Sequence, residues 1–144
     1  MRVIFAALIL SVSFLSINAN GQQYRGVHDI LTTEDMTDMH FTSAVMQRCS
    51  GLYTSIAVYS KSIPQQLKEA SMLNAVKGSR MATKMLNQKI NNPAANKQKV
   101  EELIRTYTSI YYKKLETSQT LTGSIFSEWI KLEFKDCNDL FAKF

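Results

Sequence analysis

The stretch FTSAVMQRCSGLYTSIAVY, residues 41–59, decides between helix and strand. Its apolar positions are Phe41, Val45, Cys49, Leu52, Ile56 and Tyr59. They step by three or four residues throughout, the spacing of one face of an α-helix. No stretch of the chain alternates with the two-residue period of a strand, and no Asn-Gly or Asp-Gly pair marks a hairpin. An all-α fold follows. Upstream, TTEDM at residues 32–36 offers Thr32 or Thr33 as N-cap, and Glu34 and Asp35 as acids for the positive end of the helix dipole. The first helix is therefore expected from about Asp35 to Ser60.

The two prolines punctuate the rest of the chain. Proline fits the first helical turn, where its missing N–H has no intrahelical partner. Pro64 opens a second helix that reaches about Asn91. One face of it carries Leu67, Ser71, Ala75, Gly78, Ala82 and Met85 or Leu86, with small residues at the centre that let a neighbour approach closely. The other side carries Lys77, Arg80 and Lys84. Asn92 and Pro93 open a third helix along Val100, Leu103/Ile104, Tyr107, Tyr111 and Leu115, expected to fade in TSQTLTGS, residues 117–124. A fourth carries Phe126, Trp129/Ile130, Phe134, Cys137, Leu140/Phe141 and Phe144. Comparable lengths and short connections predict a small up-down-up-down four-helix bundle.

The N-terminus belongs to another class. Arg2, the uncharged run Val3–Ile17 and the small residues of NANG form a cleavable signal-peptide pattern, with cuts expected after Ala19 or Gly21. The run is short of the roughly 20 apolar residues of a membrane span. No later segment is apolar enough to be one. The division expected is a signal peptide over 1–21, a loose N-terminal arm over 22–34 and a helical bundle over 35–144. The mature chain is then exported, periplasmic or secreted.

Export gives the two cysteines an oxidising setting. Both lie on apolar stripes, Cys49 near the middle of the first helix and Cys137 past the middle of the last. Adjacent antiparallel helices would bring them within about one turn, roughly 5 Å. A disulfide is the expected pairing, with Gly51 letting the last helix sit close. A nucleophilic Cys49 would need a base. His40, nine residues earlier, falls on the opposite face about 13 Å away.

Two other groups carry chemistry. Met36, Met39 and His40 have helical spacing, and thioethers with an imidazole suit Cu(I). Asp35 or Asp38 could orient the ring. Lys77, Arg80 and Lys84 form a basic stripe in a middle segment (residues 61–114) that holds eleven basic residues against three acidic ones. Such a stripe suits an anionic partner, either a protein or an anionic envelope component. Nucleic acid is not expected, since export and the lack of a zinc or helix-turn-helix signature oppose it. Nucleophile-elbow, zinc-protease, phosphate-loop and di-iron patterns are missing from the sequence. The functional expectation is a non-enzymatic binding module of the periplasm or extracellular space, with copper handling as the alternative.

Overall fold

A computed structural model describes residues 25–59 and 63–144. The proposed signal peptide and the first residues of the arm lie outside them. The described residues form five helices and no strand: α1 Val27–Thr33, α2 Met39–Val58, α3 Gln65–Lys89, α4 Pro93–Thr122 and α5 Glu128–Phe141. The all-α expectation holds, with one helix more than expected.

The extra helix is α1, within the segment expected to be a loose arm. Val27 and Ile30 are buried, so the segment is docked. Its first N–H groups, which no helix can satisfy internally, meet the Glu133 carboxylate of α5. Val27 N donates to Oε2 at 2.8 Å and His28 N to Oε1 at 3.3 Å. α2 then starts at Met39, because two aspartates turn the chain first. Asp35 Oδ1 accepts from the backbone and hydroxyl of Thr37, and Asp38 caps α2 by accepting from His40 N at 2.7 Å.

Later boundaries follow the same local logic. Asn92 caps α4, with Pro93 as its first residue. α4 continues through the Thr/Ser run, where Thr120 and Thr122 each donate to a carbonyl four residues back. It stops at Gly123, whose φ of 73° needs a residue without Cβ, and whose N–H donates to Gln119 O.

α2, α3 and α4 form the body. Ser43 Oγ of α2 donates to Ala82 O of α3 at 3.0 Å, while Gly78 lies against Ser50, so α2 and α3 run antiparallel. Asn96 of α4 reaches back to Asn87 of α3 at 2.9 Å, so these two alternate as well.

α5 departs from the expected bundle. Trp129 at its start stacks on Tyr111 of α4, with ring centroids 5.8 Å apart. Cys137 is bonded to Cys49 of α2, with Cα atoms 5.5 Å apart. Phe141 at its end lies near Gly78 of α3, and its carbonyl accepts from Lys77 Nζ at 3.1 Å. A helix of 14 residues is only about 21 Å long. To touch three helices in succession it must cross them, so α5 is a strap and not a fourth antiparallel stave.

The disulfide is present as expected and pins the strap at its middle. It spans 88 positions of sequence. Loop-closure entropy makes such a crosslink worth about 4–5 kcal/mol. Gly51, expected to admit the last helix, instead admits α4. A Cβ there would fall 2.5 Å from Tyr107 Cβ and 3.0 Å from Thr108 N. Two residues apart on a helix are about 200° apart, so Cys49 and Gly51 cannot face the same neighbour.

α2 is surrounded. Beyond its apolar stripe it buries Thr42, Ser43, Gln47, Ser50 and Ser55. Their side chains are satisfied: Thr42 donates to Met36 O, Ser43 to Ala82 O of α3, Gln47 to Ser43 Oγ, Ser50 to Met46 O and Ser55 to Leu52 O. A buried polar group without such a partner would be costly. No helix among the described residues is long and apolar enough to cross a membrane.

Candidate functional site: a methionine-lined groove on α3

α3 packs inward through small residues. Ser71, Ala75, Gly78, Ala82 and Leu86 are its buried positions, as the sequence pattern predicted. At Gly78 a Cβ would fall 2.7 Å from Phe141 Cζ and 3.2 Å from Met46 O. With the inner face filled by small groups, the larger apolar side chains of the helix are left outside. Leu73 is 73% exposed, and Met72 and Val76 are also open to solvent.

These residues form one wall of an open groove of about 800 Å³. Met81 and Met85 of α3 line it, together with Met36 from the turn before α2, Met39 at the start of α2, and Phe144. Five methionines thus share one surface, while Met46 is in the core. Thioether side chains are flexible and polarizable and adapt to varied apolar partners.

Lys77, Arg80 and Lys84 line the same groove. The Lys77 ammonium touches the Phe141 carbonyl and lies 5.9 Å from the Phe141 ring centroid. Among the described residues, no carboxylate forms an ion pair with any of the three. The groove is therefore apolar on its walls and carries a row of three cations along α3.

The structure thus brings together two groups that the sequence offered separately: Met36 and Met39 on one side, the basic stripe on the other. It does not bring His40 with them. Met36 lies in the turn before α2, so the one-face geometry assumed for Met36, Met39 and His40 is not formed. His40 is exposed, its ring edge-on to Phe41 at 6.1 Å. The two acids expected to orient it are engaged elsewhere. Asp35 holds Thr37. Asp38 holds the His40 backbone and Lys89 Nζ at 2.7 Å, and the Lys89 hydrogen bond, followed by that of His40 N–H, lowers its pKa below the usual carboxylate value.

Met72, Leu73, Val76 and Met81 were not singled out in the sequence, and Met85 and Phe144 were read there as positions on apolar helix stripes, not as groove lining. A signal existed: Leu73 lies four residues before Lys77 and so heads the row Lys77, Arg80, Lys84. An apolar residue leading a basic row on the outer side of a helix marks an amphipathic surface facing water.

A second polar constellation is sealed. Glu133 is fully buried and accepts from Tyr111 Oη at 2.6 Å as well as from the start of α1. His28 Nδ1 lies 2.8 Å from Asp136 Oδ2 at its edge. Tyr53 donates to Asn138 Oδ1 at 2.6 Å, and burial pushes its phenol above the ordinary range. These groups are spent on one another and hold α1, α4 and α5 in place. No protein-family model matches the chain, and no curated protein or solved structure is significantly similar to it.

Proposed function

We propose that the protein is an exported, non-enzymatic binding module, and that the α3 groove is where it binds. One observation carries this: five methionines and three cations, none of them ion-paired among the described residues, line one open groove. An exposed apolar surface rimmed by charge is a common form of interaction site. The cations select for negative charge on the partner, an acidic protein or another anionic envelope component. Export is supported by the N-terminal pattern and by a disulfide, which persists in oxidising compartments.

The test uses immobilised mature protein and envelope extract from its own cells. Capture should be salt-sensitive and should be lost when Lys77, Arg80 and Lys84 are all changed to Glu. Unchanged capture by that variant would remove the groove from the proposal. N-terminal sequencing of the native protein should begin at Asn20 or Gln22, and an intact Met1 would remove export.

Copper handling is the second reading, favoured by the gathering of five thioethers. The three cations beside them would repel Cu(I). Calorimetry with Cu(I) should show micromolar or weaker binding, and nanomolar binding would promote this reading over the first.

A further inference from the structure

Resting on the groove reading above, we infer that its occupant is an acidic amphipathic helix of a partner protein. From Leu73 to Gln88 the groove follows α3 for about 22 Å, some four helical turns. Lys77, Arg80 and Lys84 sit three and four residues apart along it. A helix laid beside α3 has the same rise per residue. Acidic residues at its own three- and four-residue spacing would therefore meet these cations one for one. Its apolar residues would then cover Leu73 at the head of that row, Met72 and Val76 on one side of it and Met39, Met81 and Met85 on the other.

A free acyl chain fits less well. Sites for small ligands enclose most of the ligand surface, whereas here Leu73 is 73% and Phe144 59% exposed. A trough this open would leave most of a lipid chain wet, but it suits a helix that buries one face and keeps the other in water. A second copy of the chain fits less well too, because pairing through α3 would set the cationic row against itself.

The probe is a synthetic peptide of about 18 residues, roughly 27 Å as a helix, with a row of glutamates at three- and four-residue spacing flanked on both sides by leucines. Its controls are the same peptide with lysines for the glutamates, a scrambled peptide of equal composition, dodecanoate, and phosphatidylglycerol vesicles. Binding is read by fluorescence anisotropy. Occupancy of the groove is read by protection of Met39 and Met72 from peroxide oxidation. The acidic peptide should bind about tenfold or more tighter than the lysine and scrambled peptides. It should weaken from roughly 0.05 to 0.5 M salt and protect both methionines. Arg80→Glu with Lys84→Glu, both at exposed positions, should reverse the preference toward the lysine peptide. Equal binding of the acidic and lysine peptides would overturn the inference. Protection by dodecanoate or vesicles but not by the peptide would overturn it in favour of a lipid and leave the groove reading standing. Protection that grows with protein concentration alone would overturn it in favour of self-association. Failure of every probe to protect the methionines would overturn both readings.

Discussion

Glu133 and Lys84 are both charged residues on helices, and the fold treats them in opposite ways. Glu133 is sealed among two backbone N–H groups and a tyrosine hydroxyl. Lys84 stands beside an apolar groove, with no acid paired to it among the described residues. The first arrangement is that of a joint: α1, α4 and α5 meet on one carboxylate, and every donor pointed at it is used. The second is that of a surface awaiting something. A small domain needs its buried polar groups satisfied to reach one structure. It does not need methionines and leucines in water, so the outer side of α3 is the region where stability alone does not explain the residues.

The largest effect should come from the strap on the joint side. Replacing Cys49 and Cys137 together by Ala should lower stability by about 4–5 kcal/mol, a large share of a typical 5–15 kcal/mol domain. Urea denaturation of the double variant, compared with reduced and oxidised wild type, measures this. A loss below about 1 kcal/mol would mean that packing, not the crosslink, holds α5 across the body.

Next comes the carboxylate itself. Glu133→Ala leaves the Val27 and His28 N–H groups and the Tyr111 hydroxyl facing a buried void, at a cost of about 3 kcal/mol. Glu133→Gln keeps an acceptor and should cost less. Limited proteolysis should show cleavage near α1 in the Ala variant before the body is cut. Equal stability of the two variants would show that the hydrogen bonds to α1 contribute little.

Gly51→Ala should follow. The added methyl meets Tyr107 Cβ and the Thr108 backbone, so α2 and α4 must part by a few tenths of an ångström or more. Overpacking of this kind costs about 1–3 kcal/mol. A melting temperature unchanged from wild type would mean that the two helices have slack where they are drawn closest.

The same contrast decides what could be read in advance. The stripe through Cys49 gave the helical class and, with the stripe through Cys137, the disulfide, because both rest on the periodicity within each helix. The strap was not legible. α5 carries a good amphipathic pattern, but pattern does not state a crossing direction, and that direction is set by Tyr111, Tyr53 and Gly78 on three other helices. α1 was missed because its anchor, Glu133, lies more than a hundred residues away in sequence. Glu133 did leave a trace, standing three residues after Ile130 and four before Cys137 on an otherwise apolar stripe. The groove was half legible: the basic stripe stood out, while the apolar residues beside it were attributed to the core or passed over. Helical spacing says which residues share a face. It does not say which face a small-residue seam such as Ala75, Gly78 and Ala82 will claim for the interior.

The smallest expected effect on stability is the one that tests the groove most directly. Leu73→Ser removes an exposed apolar side chain from solvent and touches none of the buried positions of α3. Its unfolding free energy should stay within about 0.5 kcal/mol of wild type, as for surface changes generally. If Leu73 were held by packing, the loss would approach the 2–5 kcal/mol of a truncated core leucine, and the groove would be part of the core in solution. A neutral result joined to weakened capture of an acidic partner separates the two regions cleanly. Changes at Glu133 would move stability first and binding only through it. Changes at Leu73, Arg80 and Lys84 would move binding alone, since all three are exposed on α3.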